Sequence, residues 1–225
     1  MKVAIITDQH FGARKSSRVF HDFFNKFYQN VFFPTIKKRR IDTVLDLGDT
    51  YDNRRALDLW AANWSKAEYF DKLRKMGVTV HALVGNHTAY FKDTNDVNTL
   101  TGIVGEYDNI SIYDRATEVE IGGLPILFLP WINQQNKEES YAAIENSKSK
   151  IAMGHLELNG FEAHRVTSWI MVTAQHHIES LRRCSQVTII VRVKEIIYGI
   201  LVILIRSIGM IIETHVVSIS LILRL

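Results

Sequence analysis

A single cysteine, Cys184, and only three prolines occur in this 225-residue chain. One thiol cannot build a disulfide framework or a thiolate zinc site, and it suits a reducing compartment such as the cytoplasm. Net charge is small as well. The formal net charge is +3, which excludes a strongly basic nucleic-acid coat and a polyacidic tail. No secretory leader is read at the start, because MKVAIITDQH reaches Asp8 after a short apolar run. What is present is 47% apolar and 23% charged residues, enough to bury the core of one domain or of one domain with an appendage.

The absences are not evenly spread. After Arg165 there is no Asp, Asn, Phe or Pro, and the last 60 residues hold 14 Ile. Acidic and basic residues balance before Val166, so the whole charge excess arises beyond it. Residues 1–165 therefore read as one domain and residues 166–225 as an aberrant tail. Ile196–Ile212 is an apolar run near the lower limit of a membrane span. Arg206 at its middle costs about 2.5–3.5 kcal/mol on insertion, so no membrane association is expected.

Within residues 1–165, Val3–Thr7, Thr43–Leu47, Val78–Val84, Ile110–Tyr113, Thr117–Ile121, Pro125–Leu129 and Ile151–Met153 read as strands, with Gly122-Gly123 as a hairpin turn. Phe20, Phe23, Phe24, Phe27 and Val31 have helical spacing and are expected to form a core stripe. Leu57, Trp60, Trp64, Ala67 and Phe70 mark a second helix, and residues 137–147 a third. Alternating strands and helices predict a layered α/β domain.

Four strands run into polar residues: Asp8-Gln9-His10, Gly48-Asp49, Gly85-Asn86-His87 and Gly154-His155. In an open α/β sheet the carboxyl ends of the strands share one edge, where ligands bind. Asp8, His10, Asp49, Asn86, His87 and His155 are therefore expected to converge. Carboxylates, imidazoles and an amide without thiolate suit Mn²⁺, Fe or Zn²⁺ rather than Ca²⁺ or a structural zinc. A carboxylate such as Asp49 can bridge two ions, and paired ions clamp the attacking and leaving oxygens of phosphoryl transfer. His81, His164 and His215 lack such a context and are not read as ligands. Glu157 reads either as support for His155 or as a solvated turn residue.

The succession D-x-H, G-D-x-x-D, G-N-H and a later G-H resembles the calcineurin-like metallophosphoesterases. GDTYDNRR at 48–55, LPW at 129–131 and GHLELNG at 154–160 narrow the likeness to SbcD-type repair nucleases, among them the recombination endonuclease subunits of T-even-like phages. The likeness covers about residues 1–165. It implies a layered metallophosphoesterase fold, a β-sandwich flanked by helices, truncated or disrupted after about residue 165. It implies that Asp8 and His10 bind one ion, that Asp49 bridges, and that Asn86 and His155 bind the second. His87 is then the catalytic group that orients or protonates the scissile phosphate. Two divalent ions of the Mn²⁺ kind, DNA as substrate, an SbcC-type ABC ATPase partner, a homodimer and a cytoplasmic location (the host's, for a phage protein) follow from the same likeness. Arg14, Lys15, Arg54 and Arg55 follow the metal motifs directly and read as DNA contacts or as solvated turn residues. Lys37–Arg40 reads as a solvated helix end, with phosphate contact as the alternative.

The chain departs from the family pattern in three places. Asn53 and Thr88 replace residues characteristic of the protein phosphatases of this superfamily, which disfavours that reading. A late G-H-x-H, which carries two further ligands in the family, is absent, and Gln175-His176-His177 is no substitute. Written as codons and read from the third base, Cys184–Ile190 permits Phe-Ser-Gly-His-Tyr-His. The same offset across Val166, Ile200–Met210 and Ile211–Leu223 permits strings rich in the missing Asp, Asn, Phe and Pro. These matches point to one lost base near codon 165. Three functions follow: a DNA exo/endonuclease subunit; a phosphatase or small-substrate phosphodiesterase on the same fold; and an inactive remnant without the last two histidines.

Overall fold

The computed structural model describes residues 2–149, 151–156, 187–192, 201–203 and 221–224. Strands β1 (Lys2–Ile6), β2 (Thr43–Asp46), β3 (Thr79–Leu83) and β4 (Ile110–Tyr113) run parallel in one sheet. In the other, β5 (Thr117–Ile121) pairs antiparallel with β6 (Leu124–Leu129), and β6 pairs parallel with β7 (Ile151–Leu156). The helical pieces are the short turn α1 (Ala13–Ser16), α2 (Arg18–Phe27), α3 (Phe33–Arg39), α4 (Leu59–Ser65), α5 (Asp71–Lys75), α6 (Thr99–Val104) and α7 (Lys137–Asn146).

The side-chain period of two divides the first sheet between two cores. Val3, Ile5, Leu45, Leu47 and Leu83 meet Ile126, Phe128 and Met153 of the second sheet. Ala4, Val44, Val80 and Ala82 face the helical layer of Tyr28, Phe32, Ile36, Tyr69, Phe70 and Leu73. On the outer face of the second sheet, Leu127, Leu129 and Ala152 pack on Ala143 and Ile144 of α7. The result is the expected α/β arrangement, a β-sandwich with helices on both outer faces.

The tail contributes to both sheets. β8 (Val187–Arg192) pairs antiparallel with β7, β9 (Leu201–Ile203) with β8, and β10 (Leu221–Arg224) with β1. No strand was assigned to this stretch from the sequence, and three are described in it. Ile- and Val-rich segments suit a pleated surface, and β1 and β7 offer them open edges. The boundary near residue 165 and the histidines at 164, 176, 177 and 215 lie outside the described residues, as does Glu157. Of the apolar run 196–212, only Leu201–Ile203 is described, as strand. Among the described residues no helix is long and apolar enough to cross a membrane.

The phenylalanine stripe needs correction. Phe24 and Phe27 pack on the core, but Phe23 and Val31 are exposed. A π-helical turn, Tyr28–Phe32, joins α2 to α3. Its extra residue per turn rotates the phase of the helix. Tyr28, Phe32, Phe33 and Ile36 are buried as a result.

Candidate metal centre

The loops after β1 and β2 stay zipped beyond their strands. Asp8 N–H donates to Gly48 O at 2.9 Å, His10 N–H to Asp49 O at 2.9 Å and Phe11 N–H to Thr50 O at 2.8 Å. This pairing turns Asp8, His10 and Asp49 inward at φ values of 52°, 47° and 51°. Left-handed backbone at three non-glycine residues is costly, and such strain collects where side-chain placement matters. All three are buried, together with Asn86 and His155, while His87 is half-buried.

The six residues do converge, with one correction to the single-edge picture. His155 lies within β7 of the second sheet, not beyond a strand end of the first. It reaches across because the facing residue is Gly48, where a Cβ would lie 2.6 Å from His155 Nδ1. Asp8, Asp49 and His155 offer ligand atoms within 4.8 Å of one another, and so do His10, Asp49 and His87. Asp49 is common to both groups, as a bridging carboxylate must be. Asp8 also stands beside His10, with Oδ1 3.6 Å from His10 Nε2. Asn86 joins through its Oδ1, 2.9 Å from His155 Nε2.

The hydrogen bonds show what the centre would accept. His155 Nδ1 lies 3.0 Å from Leu47 O and must donate to it. Its Nε2 then points at two acceptors, Asn86 Oδ1 at 2.9 Å and Asp49 Oδ2 at 3.3 Å. Only a proton or a metal ion can sit productively between those three atoms. Asp49 Oδ2 has no hydrogen bond among the described residues although it is buried. His10 is arranged likewise: Nδ1 is 3.2 Å from Asp52 Oδ1, and Nε2 is 3.6 Å from Asp8 Oδ1. A carboxylate behind a ligating imidazole fixes its tautomer and raises its basicity. The donor set therefore fits divalent cations.

Without such ions, protons take their place. Burial opposes charge on His10, but Asp52, Asp8 and Asp49 outweigh it and push the imidazole up to about 10. Burial likewise opposes charge on His155, and Asp49 and then Asp8 carry it up to about 9. Burial also works against the Asp49 carboxylate, but His155, His10 and His87 hold it below the usual range.

His87 is tied to both flanking loops. Its N–H donates to Asp49 Oδ1 at 2.8 Å, and Nδ1 lies 2.7 Å from Asp52 O. Thr88 closes the turn beneath it, bonding both Gly85 N and Gly85 O. Of the four basic residues singled out, Arg14, Lys15 and Arg55 are exposed. Arg54 is half-buried over the Trp131 ring at 4.8 Å and donates to Phe91 O at 3.2 Å. His81 bonds Tyr113 Oη at 2.7 Å, away from the centre, and burial lowers its pKa.

The site also depends on residues the sequence reading gave no role. Asp52 belongs to the G-D-x-x-D string, and its spacing was the available signal. Gln9 and Asp46 carry no such signal. Gln9 donates to Asp46 Oδ2 at 2.7 Å and accepts from Tyr28 Oη at 2.5 Å, and Thr50 Oγ1 donates to Asp46 Oδ2 at 2.8 Å. This buried network supports the D-x-H loop from below.

Two apposed sheets between helices thus gather carboxylates, imidazoles and an amide at one end, in two groups able to hold metal ions. The chain belongs to the calcineurin-like phosphoesterase family, whose profile matches residues 1–178. It is 34% identical over 125 residues to exonuclease subunit 1 of Enterobacteria phage T4, a match covering 56% of this chain and 37% of the relative. The matched stretch thus spans well under half the relative's length. Among solved structures, a protein of unknown function from Aquifex aeolicus matches with TM-score 0.41 and 17% identity, over 71% of this chain and 81% of that one. The Pseudomonas putida nuclease MPE matches with TM-score 0.35 and 15% identity, over 57% and 60% of the two chains.

Proposed function

We propose that this chain is the nuclease subunit of a DNA recombination or repair complex, a two-metal phosphodiesterase acting on DNA. The observation that carries the reading is Asp49 standing between two ligand groups, since a shared carboxylate holds two ions at the spacing phosphodiester hydrolysis needs. The relationship to exonuclease subunit 1 supports DNA as the substrate. Asp8, His10, Asp49, Asn86 and His155 would hold the ions, with Mn²⁺ suited to the mixed oxygen and nitrogen donors. When bound, the ions polarise the phosphate and lower the pKa of a water nucleophile.

His87 serves the leaving side. Asp52 O can only accept, so Nδ1 keeps its proton. A neutral ring would then present an Nε2 lone pair, and donation to a phosphate or leaving oxygen requires the imidazolium. Asp49 Oδ1 and Asp52 O hold the ring's backbone and Nδ1 in place for that task. An ABC-type ATPase partner, a homodimer and a cytoplasmic location belong to the same reading. So does the division at residue 165, with the tail read one base out of frame. The parent nucleotide sequence tests that division: stops in the third-base frame, or no G-H-x-H there, end it.

The test of function is a Mn²⁺ assay on end-labelled duplex DNA beside a nitrophenyl phosphodiester. Cutting of DNA that His87→Ala abolishes is expected. Hydrolysis of the small diester alone would favour a small-substrate phosphodiesterase. DNA binding without any hydrolysis would make the chain a remnant.

A further inference from the structure

Two aromatic side chains stand in solvent three and four residues after His87. Tyr90 is 37% exposed and Phe91 45%, and their rings meet edge to face at 4.7 Å. Neither belongs to the hydrophobic clusters of the core. Three Cα–Cα links hold Tyr90 within about 11 Å of His87.

The pair is held in place and is bordered by cations. Tyr90 N–H donates to Val97 O at 2.8 Å, Ala89 forms a β-bridge with Asn98, and Thr99 N–H donates to Thr88 O at 2.9 Å. Asn95 braces the same loop against Trp131 O at 2.9 Å. Arg54 joins Phe91 O to the Trp131 ring. The exposed Arg55 guanidinium lies 5.8 Å from the Tyr90 ring centroid, and Lys92 is exposed beside it. Exposed aromatic faces next to cations recognise a ligand with flat apolar faces strung on an anionic backbone. Unpaired nucleotides have both features, whereas paired bases keep their faces stacked within the duplex.

Resting on the phosphodiesterase reading above, we propose that Tyr90 and Phe91 form a stacking platform for unpaired bases of a DNA strand, with Arg55 contacting its backbone. The platform sets the strand's register against His87. Each stacked base strengthens binding independently of sequence, and Arg55 adds a salt-dependent contact.

Fluorescence anisotropy on the full chain, in chelator so that nothing is cut, tests this with labelled oligothymidylate and an abasic oligomer of equal length. The wild type is expected to prefer oligothymidylate. Tyr90→Ala with Phe91→Ala is expected to lose about tenfold or more in affinity for it and to bind the abasic oligomer as before. Tyr90→Trp with Phe91→Trp is expected to keep the preference. Arg55→Ala is expected to lower the slope of log affinity against log salt by about one. The proposal is overturned if the wild type shows no preference, or if the double alanine variant binds oligothymidylate unchanged. Equal loss on both oligomers, or altered self-association with unchanged DNA affinity, overturns it too. Failure of the wild type to hydrolyse a nitrophenyl phosphodiester with Mn²⁺ removes the phosphodiesterase reading instead, and the binding comparison separates the two failures.

Discussion

Gly85 lies so close to Asp49 that a Cβ built on it would be 2.2 Å from Asp49 Oδ1 and 2.5 Å from the Asp49 backbone N. No rotamer change relieves a clash with backbone. The loop after β3 can therefore carry Asn86 and His87 into the centre only if residue 85 has no side chain. Gly85→Ala is expected to push the two loops apart and to weaken Mn²⁺ binding by about 10–100-fold, the range for disturbed ligand support. Isothermal titration calorimetry checks this. Gly102, inside α6, has nothing within 4 Å of a built Cβ, so Gly102→Ala is the control and should stabilise the fold by about 0.5–1 kcal/mol.

Asp46 gives a pH signature separate from the metal ligands. Its burial pushes the carboxyl up to about 7, although Thr50, Gly48 and Gln9 donate hydrogen bonds that favour the anion. A folded value above the unfolded one means that the protonated form favours folding. That contribution is complete below about pH 4 and is lost as pH rises through about 7. Asp46→Asn removes the titration while keeping an acceptor for Gln9 or Thr50. Thermal denaturation in chelator should show wild-type stability falling relative to Asp46→Asn between about pH 4 and pH 8. A constant difference across that range would count against it.

Most of the fold was legible because largely apolar runs such as Thr43–Leu47 and Val78–Val84 are short, and Gly48 and Gly85 follow them. The convergence of Asp8, Asp49 and Asn86 followed from strand direction alone. Other features depend on tertiary contacts with no local signal. Thr99–Val104 forms a helix despite β-branched residues and Gly102, because Asn98 Oδ1 caps Thr101 N at 2.8 Å. The π-helical turn moves burial from Val31 to Phe32 without altering the sequence spacing. His155 belongs to the opposite sheet, which no pattern within one strand reveals.

Metal binding should release protons. The His10 and His155 imidazoles titrate near 10 and 9 in the metal-free protein, so both are cationic at neutral pH and must lose a proton to ligate. Apparent Mn²⁺ affinity should rise from pH 6 to pH 9. Calorimetry in buffers of different ionisation enthalpy should show roughly one to two protons released on saturation. The same shifts fix the sign for stability without metal. Both folded values exceed the unfolded value of about 6.5. Their contribution is therefore complete below about pH 6.5 and is lost as pH rises through 9 to 10.

Asp52 separates orientation from charge at His10. Its Oδ1 stands 3.2 Å from His10 Nδ1, and its carbonyl O stands 2.7 Å from His87 Nδ1. The carbonyl contact survives any side-chain substitution, so replacing Asp52 tests His10 alone. Asp52→Ala removes both the acceptor and the charge and should weaken Mn²⁺ binding by about 10–100-fold. Asp52→Asn leaves an amide oxygen able to accept from Nδ1–H and should cost less. Both variants lose a negative charge beside the imidazolium, so the pH dependence of metal binding through His10 should move to lower pH in each. Mn²⁺ titrations of the three proteins across pH distinguish the effects. Equal affinity in Asp52→Ala and wild type would mean that His10 needs no carboxylate behind it.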